Sequence, residues 1–385
     1  MNNQTLTQYD HWLTDDSPFA ALVMREWLVS VEGADSVIFP PTYAKPDTIR
    51  AEDWIGYNID RLDDGTKVCQ IDSVGAQANR MEPIFKRPDY ASLVPQITIQ
   101  AGNRTLNLLD AGHRAADAIV RFSSLHPELE RAFRAFQNNG DAEPLAKIAP
   151  TSIVFGSWDS RMTQAKLPRV VRSVIRAFQV EPLHRSAQYV PPIDYVADGI
   201  LNAPENRAEQ DAMSGEGLSH APAPWSHGGV LCRGGIRRDA ALNLVAIRAL
   251  GITREQNEDE NAAAQRRINL RRYILGLALV SFTAPLESFL REGCQLVRDA
   301  TRNAEWKVVR HDGSTNEEQI THDHARTFAS AAAKAFGVGE DRKGTFNAAD
   351  ARAALGQSGE QRRVARRRGR GTGAHQASPN HIEQS

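Results

Sequence analysis

Between Phe155 and Tyr189 the chain carries Arg161, Lys166, Arg169, Arg172, Arg176 and Arg185, against only Asp159 and Glu181. One-signed guanidinium and ammonium groups at close spacing are what a protein needs to hold phosphates. The spacing predicts a helix from about Gln164 to Phe178. Leu167, Val170, Val171, Val174, Ile175 and Phe178 recur at three- and four-residue steps and so share one face, and Pro168 sits in the first turn, where its missing N–H is harmless. Lys166, Arg169, Arg172 and Arg176 fall opposite, within a sector of roughly 120° at helical spacing. A solvated helix face normally mixes signs, because opposite charges four apart help it and like charges hurt it. Just upstream, Thr151 to Phe155 reads as a buried strand, and Gly156, Ser157, Asp159 and Ser160 supply turn chemistry. The functional reading is a phosphate-binding ridge, aided by N–H groups and hydroxyls of the strand-to-helix turn. The bland alternative is an ordinary basic surface helix.

Two further stretches carry donors. Val68 to Asp72 alternates as a strand does, and Ser73 to Phe85 comes next with helical spacing, presenting Ser73, Gln77, Asn79 and Arg80; simple N-capping by Asp72 or Ser73 is the local alternative. Gly228-Gly229 and Gly234-Gly235 flank Arg233, with Arg237 and Arg238 just beyond. Paired glycines let backbone approach a ligand, but the spacing fits neither a Walker loop nor a dinucleotide fingerprint. His113 lies between Asp110 and Asp117, an arrangement for acid–base work or for a satisfied structural histidine. Tyr43, Trp54 and Tyr57 are core aromatics or base-stacking ones.

The elements around these residues belong to a large chain. Its 385 residues are 41% apolar, and 46 Lys and Arg balance 47 Asp and Glu. No bulk charge attracts a polyanion, so a nucleic-acid site must come from local asymmetry. Cys69, Cys232 and Cys294 are far apart in sequence and show no zinc spacing, so neither disulfides nor a metal is expected, and no cofactor motif appears. Met1 to Asp16 has no basic start or apolar run, and the longest apolar run, Tyr273 to Phe282, is too short to span a bilayer. A cytoplasmic, membrane-free protein is expected. Residues 1–30 read as helical around Phe19 to Met24. Val37 to Phe39, Ile97 to Ile99 and Trp306 to His311 read as strands. Residues 108–122, 123–150, Ala240 to Leu250, Leu270 to Phe282 and Ala325 to Phe336 read as helical, and 202–229 as a long loop. From residue 356 to 385 the composition turns Arg-rich and cannot form a core, which predicts a disordered basic tail.

Taken together, Ile71 to Glu82, Gly156 to Tyr189, and Gly234 to Ala240 with the helix after it resemble a known family. They are similar to the backbone subunit, the Cas-seven group of the RAMP superfamily, of type I-U (also called I-G) CRISPR interference complexes. The resemblance runs from about residue 35 to 350 and leaves out the tail. It implies an α+β fold over residues 1–355: an RRM-like (ferredoxin-like) palm with large insertions forming thumb and fingers, 202–229 being a candidate insertion. It implies several copies stacked along one guide RNA (crRNA), which pairs with a target DNA strand, beside other Cascade subunits and a recruited helicase-nuclease. By analogy Ser160, Gln164, Lys166 and Arg169 hold the guide backbone. Arg161, Arg172, Arg176, Arg185, Ser73, Gln77, Arg80, Arg233, Arg237 and Arg238 complete the candidate RNA-binding set. No catalytic residue is implied. The alternatives are a RAMP-type endoribonuclease, using Asp72 or Asp159 with His113 or His184, and a scaffold whose basic face docks an acidic protein.

Overall fold

The structure is a computed structural model that describes residues 3–50, 53–285 and 287–356; the Arg-rich tail expected from residue 356 lies outside the described residues but for Gly356. The strands in chain order are β1 (Phe19–Ser30), β2 (Ile59–Arg61), β3 (Lys67–Asp72), β4 (Ile97–Ala101), β5 (Arg104–Asn107), β6 (Ser157–Trp158), β7 (Lys166–Leu167) and β8 (Val171–Phe178). They continue with β9 (Val180–Tyr189), β10 (Ala221–Cys232), β11 (Ile236–Asn243), β12 (Phe289–Arg291), β13 (Cys294–Arg298), β14 (Glu305–Arg310), β15 (Thr315–Glu317) and β16 (Arg342–Thr345). Helices are interspersed, and the class is α+β, as expected.

The chain folds as two compact units. The first takes residues up to Glu82, Arg169–Arg248 and Leu275–Ala331; the second takes Pro83–Pro168, Ala249–Ile274 and the stretch from Ala332 onward. Two of the second unit's three segments therefore interrupt the first, and the third follows it.

A nine-stranded antiparallel sheet organises the first unit, in the order β12-β13-β1-β11-β8-β3-β2, with β14 also pairing β1 and carrying β15. Along β1, β8 and β11, alternate residues turn to opposite faces. Leu22, Met24, Leu28, Val171, Ile175, Ala177, Ile236, Ala240 and Leu242 are buried on one of them. Helices cover that face: Val74–Met81 lies against β8, and Phe282, near the end of the Glu260–Thr283 helix, packs edge-on against Trp306 of β14 at 5.2 Å. A cluster including Tyr57, Cys69, Ile71, Val180, Val230, Cys294 and Leu296 fills one end. Burial pushes the thiols of Cys69 and Cys232 up to about 12 and that of Cys294 to about 11, which keeps them protonated and poor metal ligands.

Several elements differ from the sequence reading; among them, residues 240–243, expected to open a helix, close β11, and the helix is only Leu244–Arg248. The expected helix from Gln164 to Phe178 is instead β7, a turn and β8. Apolar residues at 170, 171, 174, 175 and 178 suit a period of 3.6, yet Val171, Ser173, Ile175 and Ala177 equally suit a period of 2. Pairing with β3 and β11 on either side decides it, and the β-branched Val171, Val174 and Ile175 fit a strand. The expected strand at Thr151 to Phe155 is a buried single-turn helix, Thr151–Val154, entered through Pro150 in helical conformation. Phe19 to Met24, expected helical, opens the central strand β1.

In the second unit β16 runs parallel to β4, which pairs antiparallel with β5. The His126–Asn139 helix ends at Gly140 in the left-handed conformation (φ 68°). Tyr273 stacks on Phe336 at 4.6 Å and donates to the Leu93 carbonyl at 2.8 Å. Arg266 bridges Glu143 and Glu258.

Candidate nucleic-acid interface

The face of the first unit's sheet opposite the helices is open. Register fixes which side chains stand together there. One cross-strand row runs Lys307, Val23, Ala241, Arg172; the next runs Glu305, Arg25, Asp239, Val174; the third runs Trp27, Arg237, Arg176, Gln70. Most of these residues line a shallow groove of about 570 Å³. Arg25, Arg172, Arg176, Arg237 and Lys307 thus face Asp239 and Glu305, five cations against two anions.

The two anions are already taken. Arg237 grips Asp239 with two hydrogen bonds, at 2.9 and 3.1 Å, and Arg25 approaches the same carboxylate at 3.8 Å. Lys307 lies 3.5 Å from Glu305. Among the described residues, the side chains of Arg172 and Arg176 have no hydrogen-bond or ion-pair partner. Arg237 also lies over the rings of Phe178 (4.8 Å) and Trp27 (5.5 Å), and Arg302 over Trp27 (4.6 Å). Cationic groups and half-exposed aromatics side by side can hold a phosphate chain and stack its bases.

β8 runs on through Gln179 into β9, which forms with β10 a two-stranded antiparallel ribbon. The intervening residues 190–220 include the helix Arg207–Gly215, none of whose residues is buried. The segment 202–229, expected as a loop, is thus a short helix leading into most of a long strand. Arg185 projects from the ribbon over the Phe39 ring (5.4 Å), and Arg233, at its base, makes an exposed pair with Glu181 at 3.3 Å.

The other sequence candidates lie elsewhere. Ser73 caps the Val74–Met81 helix, accepting from the Ala76 N–H at 3.1 Å. Gln77, Arg80 and Arg238, expected to face RNA, belong instead to the helix-covered side of the sheet, Gln77 and Arg238 buried and Arg80 partly exposed. Asp72, 1% exposed, accepts from Gln77 (2.7 Å), Arg80 (3.1 Å) and Arg291 (3.1 Å). Ser173 donates to Gln77, Arg238 donates to Ser173 at 3.0 Å and meets Glu26 at 3.4 Å, and Arg298 holds the other Glu26 oxygen at 2.7 Å. Burial lowers the Arg238 pKa, and Glu26 opposes that shift. A one-residue step along β11 separates outward Arg237 from inward Arg238, which the sequence run of two arginines could not distinguish.

Ser160, Arg161, Gln164 and Lys166 belong to the second unit, on the hairpin β6–β7. Asp159 is spent on that turn, accepting from the Thr163 N–H (2.9 Å) and hydroxyl (2.7 Å). Arg169 is exposed just ahead of β8. Asp117 caps the Ala118–Arg121 helix, and the His113 contact to it is made by the backbone N–H, not the imidazole. Tyr57 is core, its hydroxyl accepting from the Gly229 N–H at 2.9 Å. Arg25, Trp27 and Lys307 escaped the sequence reading; alternation of Val23, Arg25, Trp27 and Val29 with Leu22, Met24, Glu26 and Leu28 was the available signal.

Fold and site define an α+β protein built on an antiparallel sheet with a cation-rich open face. Residues 22–182 match the family model described as CRISPR-associated protein GSU0053, so this part of the chain is similar to a CRISPR-associated protein family. No curated protein matches the chain significantly. No described helix is long and apolar enough to cross a membrane.

Proposed function

We propose that the chain is the backbone subunit of a type I-U CRISPR interference complex, holding guide RNA independently of its sequence. Copies of it stack along the guide and present the bases to a target DNA strand, without cutting. One observation carries this reading: Arg172 and Arg176 stand on an open sheet face with no partner among the described residues. A guide holder needs contacts to phosphate and ribose, not to base edges, and free guanidinium groups supply them.

The topology supports the reading. The order β14-β1-β11-β8, with helices between β1 and β8 and between β11 and β14, suits an RRM-like palm. The β9–β10 ribbon extends the β8-to-β11 connection where a thumb is required. Against the nuclease alternative stands the placement of its two carboxylates: Asp72 accepts from three side chains and Asp159 accepts within a turn.

Co-expression with a repeat–spacer array tests the proposal. Arg172→Glu with Arg176→Glu abolishes RNA co-purification, read as the ratio of absorbance at 260 and 280 nm, while circular dichroism stays unchanged. Undiminished RNA in the folded double variant refutes it.

A further inference from the structure

The hairpin β6–β7 in the second unit exposes two large apolar side chains. Ser157 pairs with Leu167, and both are buried; Trp158 pairs with Lys166, and both point outward. Trp158 is 55% exposed and Met162, at the tip, 43%. Leaving an indole in water forgoes a large burial gain, so an ill-fixed hairpin would be expected to fold it away.

This hairpin is well fixed. Asp159 binds Thr163 through both its N–H and its hydroxyl, the Asp159 N–H donates to Ala165 at 3.0 Å, and Gln164, held at φ 63°, donates its amide to the Ser160 carbonyl at 2.7 Å. At the base, buried Arg114 lies over the Phe155 ring at 5.3 Å. The rigid frame holds the indole outward. Lys166 Nζ lies 4.8 Å from the centre of the Trp158 ring, and among the described residues no other ring stacks on it and neither Lys166 nor Arg161 has an acidic partner. An exposed aromatic ring beside one cation, with a second cation without an acidic partner on the same hairpin's turn, suits an unpaired base and its neighbouring phosphates.

We propose that the β6–β7 hairpin is a second contact for single-stranded nucleic acid, with Trp158 stacking on a base and Arg161 and Lys166 taking the adjoining phosphates. This extends the guide-holding reading to the second unit and rests on it. The strand bound is the guide or a DNA strand of the target, which share this chemistry.

The test uses the full chain freed of RNA by high salt, with fluorescein-labelled 20-mers of oligouridylate and oligodeoxythymidylate as probes. Trp158→Ala weakens binding about 5- to 150-fold, the range expected for one lost stack, and Trp158→Phe keeps most of the affinity. A loss confined to oligouridylate assigns the hairpin to the guide, one confined to oligodeoxythymidylate to DNA, and either supports the inference. In the unaltered chain, a 4-thiouridine 20-mer cross-links to the peptide containing Trp158, a readout that stands if the alanine variant fails to fold. Unchanged affinity in a folded Trp158→Ala, with no such cross-link, overturns the inference. So does a variant that alters only self-association in sedimentation, which would make the hairpin a protein contact. If Arg172→Glu/Arg176→Glu loses binding while Trp158→Ala does not, only this inference fails. If the unaltered chain binds neither probe, the guide-holding reading fails with it.

Discussion

Ser173, in the middle of β8, donates its hydroxyl hydrogen to Oε1 of Gln77 at 2.9 Å, tying the sheet to the helix that comes after β3. The amide's other end reaches Asp72 at 2.7 Å, so one neutral side chain links a buried carboxylate to a buried arginine site. Polar groups this deep are stable only when each has a partner.

Gln77→Leu therefore leaves the Ser173 hydroxyl hydrogen without its acceptor and takes one of three donors from Asp72. A loss of about 1–3 kcal/mol is expected from an orphaned buried polar group, read from the urea midpoint. RNA retained per folded molecule should stay unchanged, because Gln77 is buried between its helix and the covered face of the sheet, away from the groove. A fall in RNA affinity without a fall in stability would contradict this placement.

Arg172 and Arg176 act as phosphate contacts in the proposal, and each has a salt signature. Replacing either with Gln should flatten the slope of log affinity against log salt by about 0.7, the value for one contact on a single strand. Titration of oligouridylate between low and moderate salt measures it. Arg80→Gln, on the enclosed face, should leave the slope alone.

The base of the ribbon rests on Gly229. Its φ is +86°, and an added Cβ would lie 2.5 Å from Val37 and 2.7 Å from the Ile38 carbonyl oxygen. Gly229→Ala should destabilise the chain by more than the roughly 1 kcal/mol of an ordinary left-handed alanine. Tyr57→Phe removes the acceptor of the Gly229 N–H and should cost about 1–3 kcal/mol. Thermal melts of both variants check the pair; wild-type melting in either would show the ribbon base to be tolerant.

His322 is held below the usual histidine range by burial first and by Arg326 second, and its ring nitrogen meets the Thr283 hydroxyl at 2.9 Å. The unfolded chain thus binds a proton that the folded one resists. Stability from this group is present above the unfolded value of 6.5 and is lost as pH falls through the folded one. The wild type should lose more melting temperature between pH 7.5 and 5.5 than His322→Gln does. Equal losses would remove His322 as the cause.

Much of the architecture could be read from local pattern. The strand at β3, its capped helix, the buried helix through Leu270 to Phe282 and the helix stopped by Gly337 all came from spacing and end signals, because caps and long apolar repeats act within a few residues. The excess of cations between Phe155 and Tyr189 was equally plain. Its geometry was not. Val171 to Phe178 satisfies two periods at once, and only neighbours from β3 and β11, brought from distant parts of the chain, make it a strand. That pairing left Lys166 to the second unit, joined Arg25 and Lys307 to Arg176, and sent Arg238 inward while Arg237 stayed out. Residue type can announce that a chain is equipped for phosphates; which guanidinium groups meet solvent is settled by strand register, a property of partners that no single segment contains.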